Sequence, residues 1–585
     1  MAFLVSPGVN TSEIDLTTSV PAVGTSTGAT VGFFRWGPAN TVIQVSSESD
    51  LVQKFFEPDA ASAASFLSAA NFLAYGNDLR VVRVVSTAAV DKSNNATSNT
   101  SHNFSVLNDD EYFNNNYSSA NTEVAFVARY PGSIGNSLKV SVCAKASDFS
   151  SWAYASLFDA APGTSNYATT VTGQSVAADE LHVVVVDEDG VLTGTANTVL
   201  ERFANLSKAS DAKGDDGSSI YYKEVLFRNS RYIHWMGHPD ADAATTNGNT
   251  WGVTVATANT RAGNVFYSPA VSDTTYSLVG GTDGVPTTSD TTEAIDLLAN
   301  KEKFDLSLLF AGDCLVSANS SIPASTINSR YLTVAESRKD AVAFVSPAQA
   351  NVVGTAASAS AVVNFRNALT STSYGVMDSG WKYQYDKYND VYRWIPLNAD
   401  VAGLCVRTDL QRDPWFSPAG LNRGQIRNLV KLAFNPTQAE RDTLYKGGVN
   451  PVVSFPGEGT VLFGDKTLQG RPSAFDRINV RRLFIVLEKA ISAAARSSLF
   501  EFNDEFTRAQ FVALVEPFLR DVQGRRGIFD FCVVCDETNN TSAVIDRNEF
   551  VGDIYIKPAR SVNFIQLNFV AVRSGVAFEE IVGRF

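Results

Sequence analysis

Residues 563–572, NFIQLNFVAV, alternate as a half-buried strand does, with Ile565, Leu567, Phe569 and Ala571 on one face, yet they lie thirteen residues from the end of the 585-residue chain. A chain end is ordinarily its loosest part. A strand with one apolar face and a row of unpaired backbone groups is a template for pairing with another chain. A monomer has to hide such a strand, whereas an assembly uses it as a connector. The other end is equally unlike a core element: residues 1–24, from SPG to VPAVGTSTG, are rich in Thr, Ser, Pro and Gly and have no helical apolar period, so they read as an extended arm.

Between the two ends there is room for two to four domains with ordinary cores, since 44% of the residues are apolar. No run approaches the eighteen or so apolar residues of a membrane span, and MAFLVSPGVNTSE lacks the basic start and long apolar stretch of a secretory signal. The expected product is made and kept in a cytoplasm and inserts in no membrane. Five cysteines, an odd number spread along a large chain, read as thiols in a reducing compartment. The net charge of −14 is uneven: from Val401 onward 23 Lys and Arg face 21 Asp and Glu, so the acid lies in the first two thirds. That argues against direct nucleic-acid binding, which draws its affinity from a basic surface. It also lets the near-neutral end of one copy approach the acidic part of another without strong repulsion.

Along the chain, ATVGFFRWGPAN starts the first regular core. Helical text follows in SSESDLVQKFF, where Ser49 or Asp50 is the expected cap, and in ASAASFLSAANFLAYG. LRVVRVVS is then a buried strand, and this order indicates mixed α/β structure. From about Thr87 to Ala120 the text is dense in Asn, Ser and Asp and reads as a surface insertion or partly disordered loop. Strands resume at VAFVARYPGSIGNSLKVSV and LHVVVVDEDGVLTG, with Asp189-Gly190 as turn residues, and α/β alternation runs to AVAFVSPAQ. Further on, NPTQAERDTLYKGG has Asn435 as expected cap and Gly447 as exit. DRINVRRLFIVLEKAISAAARSS is a second helix of this part, and TRAQFVALVEPFLRDVQG is a third, with an apolar stripe at Phe511, Leu514, Val515, Phe518, Leu519 and Val522 and a bend expected at Pro517. Strands FDFCVVCD, GDIYIKPA and NFIQLNFVAV end an α+β region.

No segment carries a convincing catalytic constellation. GTSTG, Gly24–Gly28, has the nucleophile-elbow spacing with Ser26 at its centre, but an elbow needs a strand before the serine and a helix after it. Here a Pro-containing arm precedes and strand-like text follows. His234 and His238 in HWMGH would share a helical face, yet no Glu stands between them and no third ligand is evident, so a packed or surface pair is the simpler reading. Cys532 and Cys535 form a CxxC inside an apolar run, with no second pair, and read as buried strand cysteines. GGTDG at Gly280–Gly284 and GEG at Gly457–Gly459 lack the P-loop Lys-Ser/Thr and the dinucleotide spacing. No catalytic, cofactor-binding or metal-binding residue is therefore expected.

From Trp381 the chain reads WKYQYDKYNDVYRWIPLNADVAGLCVRTD, then PWFSPAGLNRGQI, VLFGDKTL, FDRINVRRLF, VVCDETNNTSAVIDRNEFVGDIYI and KPARSVNFIQLNFVAV. This ordered run resembles the tail sheath proteins of contractile-tailed phages, most closely those of the T-even type. SPGV, FFRWGPAN, FLAYGNDLRVVRVV and YPGSIGN look like the same family. T-even-type sheaths carry an extra outward domain after the RVVRVV-like strand, whereas here only the Asn/Ser-rich segment occupies that place, so roles tied to that domain are not carried over.

The resemblance implies an enzymatically inactive virion subunit, made in the host bacterial cytoplasm. It polymerises helically with itself around an inner tail tube, meets baseplate and tail terminator proteins, and contracts to drive the tube through the host envelope. The implied fold is α/β and α+β multidomain. Residues 1–24 form an arm; 25–88 and 121–345 a mixed-sheet middle or outer domain; 89–120 a variable insertion; 346–560 an α+β domain near the tube; and 561–585 a second arm. Both arms are expected to add strands to neighbouring subunits, through Val9, Ile14 and Leu16 at one end and Ile565, Leu567, Phe569 and Ala571 at the other. Arg477, Arg481 and Arg482 on the FDRINVRRLF helix are candidate polar contacts to tube or neighbour. The alternatives are another tail component, of the tube or baseplate, and a serine hydrolase using Ser26.

Overall fold

The computed structural model describes residues 24–87, 92–99, 102–118, 120–121, 123–171, 178–239, 251–259, 265–269, 274–563 and 566. They fall into two units. The larger takes in Ala22–Pro414 and Pro418–Ala490; the smaller takes in Trp415–Ser417 and the residues from Ile491.

The larger unit is built on a six-stranded sheet of order β12-β11-β10-β1-β3-β2, made by β1 (Gly28–Phe33), β2 (Val42–Val45), β3 (Leu79–Val84), β10 (Leu308–Phe310), β11 (Val342–Val345) and β12 (Gly375–Met377). All neighbours pair in parallel except β2, which closes the edge antiparallel to β3. Helices cover both faces of a parallel sheet, so its strands must be apolar on both sides. The sequence divides them by period two. Ala29, Val31, Phe33, Val82, Val84, Leu309, Ala343 and Val345 enter one core with α4 (Thr288–Asp296) and α5 (Ala324–Arg338). Leu79, Val81, Leu308, Phe310, Val342 and Phe344 enter the other with α2 (Ala63–Leu73) and α6 (Asn398–Gln411).

The second core closes because two of the three residues on one stripe of β1, Gly28 and Gly32 on either side of Thr30, have no side chain. A Cβ on Gly28 would lie 2.3 Å from the Phe72 ring, and one on Gly32 would lie 3.0 Å from Ser65 Cβ. The same device brings α2 against α6, where a Cβ on Gly403 would lie 2.4 Å from Tyr75 and one on Gly76 2.7 Å from Val406. At the sheet's rim Arg83 is fully buried and donates to four carbonyls, those of Phe34, Arg35, Gly37 and Pro131.

Local chemistry sets the helix starts. α1 (Glu48–Phe55) is capped by Ser47, whose Oγ accepts from Asp50 N at 3.1 Å, so the cap precedes both expected residues. α7 (Gln438–Lys446) starts at Thr437, where Glu440 accepts from Thr437 N at 2.8 Å in a capping box; this displaces the expected Asn435 by two residues. The Asn/Ser-rich stretch is not simply a loop. Asn95 and Thr97 are buried, Asn95 Nδ2 donates to Val106 O and Ala128 O, and Asn108 caps α3 (Asp109–Asn115). Its amide side chains replace ladder bonds, which composition alone does not reveal.

Beyond this lie a four-stranded antiparallel sheet of order β7-β6-β5-β9, from β5 (Leu138–Cys143), β6 (Glu180–Asp187), β7 (Thr198–Ser207) and β9 (Thr275–Ser277), and a pair of β4 (Phe126–Ala128) with β8 (Ile233–Trp235). The strands β13 (Trp381–Asp386), β14 (Val391–Pro396) and β15 (Lys431–Leu432) make a three-stranded sheet, and β16 (Val452–Phe455) with β17 (Gly459–Leu462) a hairpin turned by GEG.

Two substitutions test the packing of β1. Gly28→Ala should lower unfolding free energy by about 1–3 kcal/mol, the usual penalty of overpacking. Gly524→Ala, where a Cβ meets nothing within 4 Å, should be neutral or stabilising by up to about 1 kcal/mol. Urea denaturation of both variants measures the contrast.

Candidate assembly interface

The helix at Ile478–Ala495, α8, belongs to the larger unit as far as Ala490, and the smaller unit carries α9 (Glu505–Gly524), whose Asp504 cap accepts from Thr507 N at 2.8 Å. The helix runs through Pro517 as one element and buries Phe511, Val515, Leu519 and Val522; Leu514 and Phe518 of the expected stripe are half-buried. β18 (Ile528–Val534) pairs antiparallel with β19 (Asp553–Pro558) in the register Phe531↔Ile556, Cys532↔Tyr555, Val533↔Ile554. Asn540 pins the intervening loop, donating to Val551 O at 2.8 Å and accepting from Val551 N at 2.9 Å.

Among the described residues this sheet has two strands, and such a pair is marginal in water without further strands or cover. Phe531, Val533, Ile554 and Ile556 are only half-buried, and Phe529 and Tyr555 keep 71% and 62% of their surface. Cys532 is exposed and Cys535 buried. The expectation of two buried strand cysteines thus holds for one of them, because the outer face of a two-stranded sheet is uncovered. The same unit exposes Leu499, Phe500, Phe502 and Phe506, an apolar surface of the kind that marks interaction sites. This cluster was not anticipated, although three Phe in the seven residues FEFNDEF, without helical period, are visible in the sequence. Val9, Ile14, Leu16, Ile565, Leu567, Phe569 and Ala571 lie outside the described residues.

The three arginines are engaged within the chain. Arg482 is buried and grips Asp409, at 2.6 Å and 2.8 Å. Burial pulls its guanidinium down, and the carboxylate more than reverses that. Arg481 is buried too, donates to Ser373 Oγ at 2.7 Å, and lies between the rings of Tyr374 and Phe475, 4.2 Å and 4.0 Å from their centroids. Arg477 pairs with Asp465 at 3.1 Å and touches Tyr445, but keeps about a fifth of its side chain in solvent.

The residues weighed for chemistry are dispersed. Ser26 is followed by β1 rather than by a helix. His234 sits in β8, stacked on Tyr112 at 4.0 Å and facing Asp109 at 3.3 Å, while His238 accompanies Tyr222 at 2.7 Å; they share no helical face. Gly281 and Asp283 of GGTDG bond Asn136 and Ser133 and close a loop. Among the described residues no group of three metal-binding side chains forms.

Solved sheath structures share this architecture. The chain aligns over 97% of its length with the helical sheath of the anti-feeding prophage in its contracted state, covering 99% of that chain at 12% identity and a TM-score of 0.50. It aligns over 92% with the sheath tail protein of Listeria innocua, covering 96% of it at 13% identity and a TM-score of 0.50. The fold is that of a sheath protein. Three family models match in turn: the tail sheath protein Gp18 domain III N-terminal region at residues 25–84, the phage tail sheath protein central domain at 284–468, and the phage tail sheath C-terminal domain at 471–571. The tail sheath protein of Vibrio phage KVP40 is 36% identical, across 99% of this chain and all of its own length, and that of Enterobacteria phage T4 is 33% identical, across 99% of both. The chain belongs to the phage tail sheath family, as a structural subunit of a contractile tail. The two alignments run over 681 and 692 positions, more than the 585 residues of this chain, so these relatives carry residues that it lacks.

The strongly perturbed carboxyls of the larger unit are packing features. Lys382 and Asp400 form a fully buried pair at 2.9 Å, and burial pushes the lysine down and the carboxyl up. Asp378 is buried and accepts from Ser346 Oγ at 2.6 Å and Gly380 N at 2.9 Å. Burial raises it to about 7, with the Asp400 charge adding and the two hydrogen bonds opposing. Its folded-state pKa is above the unfolded value, so its contribution to stability is fully present below about pH 4 and lost as the pH rises through about 7. Asp378→Asn should therefore remove that dependence and leave the variant more stable than the parent above pH 7, by a few kcal/mol at most. Urea midpoints at pH 5 and pH 8 measure it; equal pH slopes in both proteins would contradict it.

Proposed function

We propose that the chain assembles helically around an inner tail tube between baseplate and terminator proteins, and that contraction of the array drives the tube through the host envelope. The near-full-length likeness to tail sheath proteins carries this reading. Synthesis in the host cytoplasm and the lack of any enzymatic role belong to the same proposal.

The connector is the open β18–β19 sheet. Its half-buried inner face and exposed Phe529 and Tyr555 fit a sheet completed by strands from neighbouring subunits, with residues 561–585 and 1–24 as donors. Ordering a ten-residue arm costs roughly 10 to 20 kcal/mol, while four apolar contacts and about five ladder bonds return about 8 to 15. One exchange is close to neutral. The array gains from many linked exchanges at high effective concentration, templated by tube and baseplate, and the isolated subunit stays soluble. Of the three arginines, Arg477 is assigned to an external polar contact, since it alone keeps solvent-facing surface. Arg481 and Arg482 hold the helix that presents it.

Deleting residues 561–585 should abolish tubes or rings in negative-stain electron microscopy across a concentration series, with the melting temperature of the subunit shifted by only a few degrees. Tubes formed equally well by the truncated chain would make the last strand intramolecular.

A further inference from the structure

Gly24 to Thr27 lead into β1 and are held from three sides. Ser307 Oγ donates to Gly24 O at 3.0 Å, Thr25 Oγ1 donates to Asp409 Oδ2 at 2.8 Å, and Arg482 Nη2 reaches Thr25 O at 3.4 Å. Thr27 Oγ1 donates to Asp78 Oδ2 at 2.8 Å, and Thr27 O accepts from Ser307 N and Leu308 N, both at 3.1 Å. Lys489 Nζ ties the opposite side together, donating to Asp305, Leu306 O and Ser307 Oγ within 3.0 Å. Asp409 (α6) and Arg482 (α8) are thus bonded to each other and to the segment that precedes the central strand.

We propose that the Arg482–Asp409 pair anchors Gly24–Thr27, the root of the N-terminal arm, so that Thr25, Asp409 and Arg482 are positioning residues for assembly. The inference rests on the reading of residues 1–24 as a shared arm. The pair's side chains are 4% and 7% exposed. A pair so far out of water adds little net stability, but it tolerates only one geometry, because either partner left alone is a bare buried charge. The Thr25 hydroxyl is a third hydrogen bond on the same carboxylate, so the geometry of the pair is passed to the arm root. Next along the chain, β1 is hydrogen-bonded in parallel on both sides, to β3 and β10. Tension on the arm acts along β1, across these ladders, and is shared by all their bonds at once. The anchor lies where that tension enters the body.

The test leaves the ion pair intact. Thr25→Val keeps the branched shape and removes the donor; Thr25→Ser keeps the donor. Amide exchange of residues 24–27 in the monomer, melting temperature, and the assembled fraction at fixed concentration are measured for the parent, both variants and a deletion of residues 1–23. The expected result is exchange faster by about tenfold at 24–27 and an assembled fraction lower by about tenfold for Thr25→Val, with unchanged melting, and parental behaviour for Thr25→Ser. Parental exchange in Thr25→Val would overturn the anchor, and faster exchange with parental assembly would overturn its positioning role. Normal assembly of the deletion would instead reject the shared-arm reading, while the exchange data still decide whether the anchor exists.

Discussion

The two glycines on one stripe of β1, Gly28 and Gly32, are the constraint on which the larger unit depends. With Gly28 and Gly32 facing α2, the helix settles onto the strand, and Phe72 and Ser65 occupy the space that ordinary side chains would take. This permits a parallel sheet with a dense core on each face, the setting in which β1, β3, β10 and β11 are stable as strands carrying apolar residues on both sides. The chain enters β1 directly from Gly24–Thr27, and the strand is paired on both sides, to β3 and β10.

The smaller unit is built on the opposite principle. Its helix α9 has a well-buried stripe, but β18 and β19 stand as a pair with half-covered faces, and Phe500, Phe502 and Phe506 lie in solvent. A protein that functioned alone would gain by covering these groups. On the proposed reading, a subunit of a helical array leaves them for its neighbours, and the near-neutral balance of exchanging an arm is repaid only when many are linked. The buried charges follow the same division: Lys382–Asp400 and Arg482–Asp409 are paired deep inside the larger unit, where each pair tolerates one geometry.

Much of this was legible in the sequence, for reasons that can be named. The two-sided apolar strands ATVGFF and LRVVRVV and the stripe on α9 follow from periodicity, which depends on local text, whereas the open character of β18 and β19 was not read from it. The helix caps were missed by two or three residues, because Ser47 and Thr437 compete with other good caps nearby. The burial of Asn95 and the partnering of Arg482 with Asp409, 73 positions away, depend on tertiary proximity that composition and spacing do not encode. The arginine cluster read as surface for the same reason: charge in a helical pattern is usually solvated, and only the fold supplies the buried acid that reverses the default. For the proposed interface, the period-two text of NFIQLNFVAV suggested a donor from sequence, whereas the exposure of Phe529, Cys532 and Tyr555, on which the choice of acceptor sheet rests, is a feature of the fold.

The measurement that most directly tests strand exchange is a helical cryo-electron microscopy reconstruction of the polymerised chain, at a resolution that traces the backbone through β18 and β19. The account predicts a widened sheet in which the strands flanking β18 and β19 trace to two other subunits, one through residues 561–585 and one through residues 1–24. Flanking strands that trace to the same subunit, or a sheet that stays two-stranded inside the assembled tube, would contradict it.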